Sequence, residues 1–317
     1  MRHCGAADEE SWSMDRCGRM CACLTAGLGR GSAVLGAPPS SRVEVLPIGS
    51  PRLSGIRLCE REERWAAEQE HPAVHRDSTA LAKVLALRVV ASSGIRHVDM
   101  DEIEIVRDEA GAPFVRLSGG CLQAAHDSRT REIAITLSND CGAIAGVALP
   151  LSDSAVSTVT GGADAVLSGA GIDILAISGV VDVLQFPPGS VRRLLTEQEI
   201  ERVERVTHDR GPLLLAEILA AKEAAFKALG GPLRAARSQL SIRDPLADAR
   251  ADFREFDIIH AGPGWAIAEA YGGMAEVIRR MDISVSRIDV VLTHCGDAVG
   301  ALALCQTARR TQEGISG

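Results

Sequence analysis

The chain has 317 residues, with 42 acidic against 34 basic side chains and a formal charge of −8; 46% of its residues are hydrophobic and 24% charged. That length suits two modest domains, and the apolar content supports packed cores and excludes global disorder. No run approaches the roughly 18 apolar residues of a membrane span, and the negative balance argues against a broad electrostatic footprint for nucleic acid.

Residues 1–41 lack apolar periodicity and end in Gly29-Arg30-Gly31-Ser32 and Ala37-Pro38-Pro39-Ser40-Ser41, so they are expected to be a flexible leader outside the fold. Four of the nine cysteines, Cys4, Cys17, Cys21 and Cys23, crowd this leader. Asp8, Glu9 and Glu10 stand where a secretory signal would be positive, which points to a reducing cytoplasm and to incidental thiols. Their spacing is not that of a zinc finger or ribbon.

Residues 42–150 read as a first domain. Its expected elements are a strand at Val43–Ile48, helices near Glu60–Glu70 and Ser78–Ala91, and strands at Glu102–Val106, Phe114–Leu117, Ile133–Leu137 and Ala143–Leu149. Residues 151–167, rich in Ser, Thr, Gly and Ala, form the linker; residues 168–308 form the second domain and 309–317 a tail. In the second domain a buried strand is expected over Ser168–Ile177. A helix over Leu213–Gly230 is expected to stop at Gly230-Gly231-Pro232.

The second domain repeats the first. Thr136–Leu149 lies without a gap on Val291–Leu304. In the same order, Leu58-Cys59-Glu60-Arg61-Glu62 resembles Leu195-Thr196-Glu197-Gln198-Glu199, Ala82–Arg88 resembles Ala221–Lys227, and Val43-Glu44-Val45 resembles Ile172-Asp173-Ile174. Four ordered matches point to a tandem pair of related lobes.

Asp173 is one carboxylate inside an apolar strand, and an unpaired buried carboxylate costs several kcal/mol, so it needs a partner. Glu223 stands at the edge of the apolar stripe of the Leu213–Gly230 helix, with Lys227 one turn further on, so both heads reach one point in space. Taken alone, each has an ordinary structural reading, a buried ion pair or a solvated helix face. Joined, two carboxylates suit a hard divalent cation and the lysine suits the phosphates such a cation bridges.

These residues resemble the 4′-phosphopantetheinyl transferase superfamily, especially the holo-acyl-carrier-protein synthase type. Gly171-Ile172-Asp173 resembles the family's Gly-x-Asp strand, Leu195-Thr196-x-x-Glu199 its Leu-Thr-x-x-Glu helix start, and Lys222-Glu223-Ala224 its Lys-Glu-Ala helix. The resemblance covers most of Gly171–Leu304 and, more weakly, Val43–Leu149. It implies an α+β fold of two pseudo-symmetric lobes with the site between them. It also implies transfer of the 4′-phosphopantetheine arm of coenzyme A to a serine of an acyl or peptidyl carrier protein, leaving adenosine 3′,5′-bisphosphate.

In that frame Asp173 and Glu223 bind Mg²⁺, Lys227 stabilises phosphate charge, and Lys222 adds potential nearby. The first lobe presents Gly111, Pro113, Ser138 and Asn139 to coenzyme A. Its own counterpart of the site keeps Glu44 but has Val84 in place of Glu223, so one working site is expected, with His294 facing the degenerate one. Carrier docking is assigned to Phe186, Arg192 and Arg193. The implied partners are the carrier protein and coenzyme A, without nucleic acid or membrane. Asn139 stands where the family has a histidine and Ala112 where it has a basic residue. Those departures motivate the alternative, a non-catalytic domain that binds carriers or supports a synthase.

Overall fold

The computed structural model describes residues 14–92, 98–108, 111–152, 165–185, 193–207, 210–240 and 253–308. The first half runs α1 (Met14–Val34), β1 (Arg42–Pro47), α2 (Pro51–Ser54), α3 (Glu60–Ala67), α4 (Pro72–Ala91), β2 (Ile103–Arg107), β3 (Pro113–Leu117), α5 (Gly119–Asp127), β4 (Glu132–Asp140) and β5 (Ala143–Leu151). The second runs β6 (Ala165–Ala176), α6 (Ile177–Gln185), α7 (Glu197–Arg205), α8 (Gly211–Leu240), β7 (Phe256–Gly262), β8 (Trp265–Ala270), α9 (Gly272–Arg280), β9 (Val285–Cys295) and β10 (Ala298–Ala308). After α1, the order of strands and helices is the same in both halves. The fold is a mixed α+β one, and among the described residues no helix is long and apolar enough to cross a membrane.

Among the described residues the strands form three antiparallel sheets, ordered β1-β5-β4, β6-β10-β9-β8-β7, and the hairpin β2-β3. The register repeats as well: Glu44 lies opposite Gly146 in the first half, and Asp173 lies opposite Ala301 in the second. Side-chain periods explain the layers. In β4, Ile133, Ile135 and Leu137 pack towards α4, while Thr136, Ser138 and Asp140 alternate onto the other face. In the second half, α8 packs Leu215, Ile218, Ala221, Ala225 and Leu229 against β7 to β10.

Each half also contains the same buried ion pair. Glu62 begins α3 by accepting from the Cys59 N–H at 2.7 Å, and then meets Lys83 at 2.9 Å and the Ile105 N–H at 2.8 Å. Glu199 begins α7 in the same way with the Thr196 N–H at 2.8 Å, and meets Lys222 at 2.7 Å and the Ile258 N–H at 2.9 Å. One carboxylate thus caps a helix, neutralises a helix lysine and holds a hairpin strand, which satisfies its lone pairs away from water.

Two expectations fail. Residues 14–34, expected in a leader outside the fold, form α1, whose Leu24 and Leu28 are fully buried beside Val45, Ile172, Ile174 and Leu302. Glycines and cysteines obscure the stripe in the sequence, because here they serve close packing. The helix expected to stop at Gly230-Gly231-Pro232 instead continues to Leu240. Pro232 removes the N–H that the Ala228 carbonyl would accept, but Leu233 and Ala236 continue the buried stripe beyond it, so packing outweighs the local stop signal. The expected tail 309–317 and most of the expected linker, residues 153–164, lie outside the described residues.

Gly169 and Gly171 explain how α8 lies so close to β6. A Cβ on Gly169 would fall 2.0 Å from the Ala228 carbonyl oxygen, and one on Gly171 would fall 1.8 Å from the Ala224 carbonyl oxygen. The glycine of Gly-x-Asp is therefore a helix–strand packing residue. Gly171→Ala is expected to push α8 off β6 and to destabilise the protein by about 1–3 kcal/mol or more, read as a lower urea midpoint at an unchanged slope.

Candidate active site

The halves meet where the outer face of β4 lies against the free edge of β6. Three alternate side chains of β4 serve that edge in register: Thr136 Oγ1 accepts from the Ile172 N–H at 3.0 Å, Ser138 Oγ from the Ile174 N–H at 3.3 Å, and Asp140 Oδ2 from the Ala176 N–H at 2.8 Å. Side chains here take over the partners a neighbouring strand would supply, and they fix how the halves sit together.

Asp173 lies in this junction and is only 7% exposed. Ser138 Oγ donates to Asp173 Oδ1 at 2.7 Å, and Lys227 Nζ donates to the same oxygen at 2.9 Å and to the Ile172 carbonyl at 3.2 Å. Glu223 Oε1 lies 3.8 Å from Lys227 Nζ, so both expected carboxylates converge on one ammonium. The helical repeat sets this up, since residues four apart share a face and the glycine-lined contact brings that face to β6.

The charges do not balance: two carboxylates surround one lysine. Burial pushes Asp173 up from the ordinary carboxylate range, against the opposing pull of Lys227 and the Ser138 hydroxyl, with Asp140 adding to the rise. Burial also raises Glu223; Lys227 opposes this and Asp173 adds to it. A junction with one uncompensated negative charge and hard oxygen donors fits a divalent cation. Among the described residues no group of three or more His, Cys, Asp or Glu side chains is placed to hold a metal, so two protein carboxylates leave the other positions of such an ion to water and substrate oxygens.

The remaining expected residues are placed differently. Lys222, expected beside the phosphates, is fully buried against Glu199 and also donates to the Arg254 carbonyl at 3.1 Å, because the residue next to Glu223 faces another side of α8. Ser138 is in the site, though as the donor to Asp173 and acceptor from β6. Asn139 is exposed beside it on β4. Gly111, with φ +82°, makes the turn before Pro113 at the start of β3. The adjoining Phe114 lies under the Arg234 guanidinium at 5.3 Å, and Arg234 meets Glu132 at 3.2 Å, so this hairpin reaches α8 beyond Lys227.

The corresponding cluster in the first half is neutralised. Glu44 is held by Arg88 at 2.6 Å and Arg52 at 2.5 Å, with Arg88 at the Lys227 position and Val84 at that of Glu223. His294 is exposed at the end of β9, on the side of Glu217 of α8, an acid that burial raises. Phe186 and Arg192 lie outside the described residues, while Arg193 is exposed. The roles of Thr136 and Asp140 went unread, although polar residues alternating with Ile135 and Leu137 give the period of a strand with two served faces.

Residues 169–270 match the model of the 4′-phosphopantetheinyl transferase superfamily, so the resemblance carried by the motifs holds for the segment containing Asp173, Glu223 and Lys227. No curated protein matches the chain. Among solved structures it is similar to the holo-[acyl-carrier-protein] synthase of Neisseria meningitidis, at 23% identity and TM-score 0.34, over 44% of this chain and 98% of that one. It is also similar to a coenzyme A complex of the Chronobacterium ammoniagenes enzyme, at 21% identity and TM-score 0.34, over 44% and 98%. The Helicobacter pylori synthase with coenzyme A matches at 19% identity and TM-score 0.31, over 43% and 98%.

The neighbouring motif residues Lys222 and Glu223 of α8 are expected to behave differently. Lys222→Met strands a buried Glu199 and should cost about 3–5 kcal/mol in urea unfolding. Glu223→Gln removes an acid whose folded-state pKa is raised. Such a group favours the fold at acid pH, and that contribution is lost as pH rises from the unfolded pKa through the folded one. In metal-free buffer Glu223→Gln should therefore be more stable than the parent at neutral pH, with the gap closing on acidification below the ordinary glutamate value of 4.5.

Proposed function

We propose that the chain transfers the 4′-phosphopantetheine arm of coenzyme A to a serine of an acyl or peptidyl carrier protein, in a Mg²⁺-dependent reaction that leaves adenosine 3′,5′-bisphosphate. The observation that supports this most is the convergence of Asp173 and Glu223 on Lys227, within the segment matched by the superfamily model. Asp173 and Glu223 would hold the ion, which when bound neutralises charge on the pyrophosphate oxygens. Ser138 and Lys227 fix the Asp173 carboxylate, so its lone pairs point one way before substrate arrives. Glu223 has the more exposed side chain, 35% against 10% for Asp173, and forms the side of the site open to substrate. Lys227 also offers its ammonium to phosphate oxygens. In an in-line phosphoryl displacement alignment and charge stabilisation carry most of the protein's contribution, so this small set of groups suffices.

The first half closes the site from the other side through Ser138, Asn139 and the turn from Gly111 to Pro113. We propose that residues 42–150 and 168–308 are lobes of a duplicated unit, supported by their common order of elements and by the paired contacts of Glu62 and Glu199. Asn139 and Ala112 bring no charge to coenzyme A, and this favours the second reading, a domain that binds carriers without modifying them.

Incubation with Mg²⁺, coenzyme A and an apo carrier domain should give a carrier heavier by one phosphopantetheine group in intact-protein mass spectrometry. A chelator, Asp173→Asn or Glu223→Gln should each lower the rate at least ~10²-fold. No mass gain with several carriers that an active control enzyme modifies would reject transfer. Metal-dependent coenzyme A binding by calorimetry then separates an inactive enzyme from a carrier-binding domain. Because burial raises both acids, metal binding should weaken on acidification at a pH above the ordinary values of 3.8 and 4.5.

A further inference from the structure

We propose that Cys23 of α1 and Cys295 of β9 are a redox-sensitive thiol pair, a site at which a low-molecular-weight disulfide closes a latch between α1 and the second half. The pairing follows from how α1 lies on β9. A Cβ on Gly31 would fall 2.2 Å from Val291 Cγ1, and one on Gly27 would fall 2.4 Å from Thr293 Oγ1. Each helical turn back along α1 thus matches a step of two residues forward on one face of β9, about 6 Å on the helix against about 6.7 Å on the strand. The next step sets Cys23 against Cys295. A hydrogen bond with the Cys23 thiol is the main cause that holds the Cys295 thiol above its ordinary range, with burial second. A disulfide needs Cα atoms roughly 4.4–6.8 Å apart, and two glycines in the same row bring helix and strand to such an approach.

Exposure separates this pair from its neighbours. Cys17 and Cys21 of α1 are buried with their sulfurs 4.0 Å apart, and burial pushes Cys21 up to about 12. Cys23 is exposed and Cys295 half-buried, so a soluble oxidant meets Cys23 first. The Cys23 thiolate attacks one sulfur of the small disulfide, whose S–S bond breaks and releases one thiolate. Cys295 gives its proton to water, and its thiolate attacks the Cys23 sulfur of the mixed disulfide. That step forms the Cys23–Cys295 bond and releases the second small thiolate. Two protein thiols are oxidised and one small disulfide is reduced to two thiols. The new bond continues the row of Gly27 and Gly31 and pins the part of α1 around the fully buried Leu24 to the β9–β10 hairpin. It also closes a loop of most of the chain, which restricts the unfolded state.

Oxidation of the full chain with glutathione disulfide, then alkylation and non-reducing peptide mapping by tandem mass spectrometry, tests this. A cross-linked peptide pair joined through Cys23 and Cys295 is expected, in a protein lighter by two hydrogens, and dithiothreitol should reverse it. Cys295→Ser should instead stop at one glutathione on Cys23, which separates the attacking thiol from the resolving one. Closing the latch should raise the urea midpoint of unfolding. Cys23→Ser, at an exposed position, should lose that rise while keeping the midpoint of the reduced parent. The proposal is overturned if Cys23 and Cys295 are alkylated separately after oxidation, if Cys23 ends bonded to Cys17, Cys21 or another molecule, or if closure leaves the urea midpoint where it was. Mapping the parent protein uses no variant, so it decides the pairing even where a variant fails to fold.

Discussion

The charge on Asp173 constrains everything around it. A carboxylate in the middle of a buried strand is tolerated only if donors surround it, and here those donors come from different parts of the chain: Ser138 from the first half and Lys227 from α8 of the second. The glycines that let α8 approach β6 and the alternating side chains that tie β4 to its edge are conditions for this one arrangement. The site is thus a property of the junction. Neither half contains it alone.

Even so, although it is chiefly burial that raises both acids, Asp173 and Glu223 share one ammonium, a deficit of positive charge. In the counterpart around Glu44 there is none. Val84 removes one carboxylate and two arginines bracket the other, so that cluster has no use for an added cation. The two clusters thus differ in charge: one sets two acids on one lysine, the other sets one acid between two arginines.

Much of this was legible in the sequence because it rests on local periodicity and spacing. The repeat, the acid on the strand and the i, i+4 pair Glu223 and Lys227 all carry such signals. What was not legible depends on tertiary packing. The composition of residues 14–34 looks like that of a loop because glycine is needed at Gly27 and Gly31, where α1 touches β9. Pro232 reads as a stop because nothing local reveals that Leu233 and Ala236 extend the buried stripe. Lys222 and Glu223 are neighbours in a motif, yet their roughly 100° separation on the helix sends one into the core and the other to the site.

The two halves also provide an internal control on which motif residues hold the scaffold and which serve chemistry. Both halves keep the capping glutamate and its buried lysine, Glu62 with Lys83 and Glu199 with Lys222, with the same bond to a hairpin N–H. Because the first half retains this pair while lacking the second carboxylate of the candidate site, the pair cannot owe its presence to that site's chemistry; it holds a helix start, a long helix and a hairpin together. Glu223, absent from the first half, has no such duty, and its burial beside another acid makes the fold less stable at neutral pH. A residue present in only one half is not required by the scaffold the halves share, which separates Glu223 from Lys222; Asp173, matched by Glu44 in the first half, is not separated by this comparison.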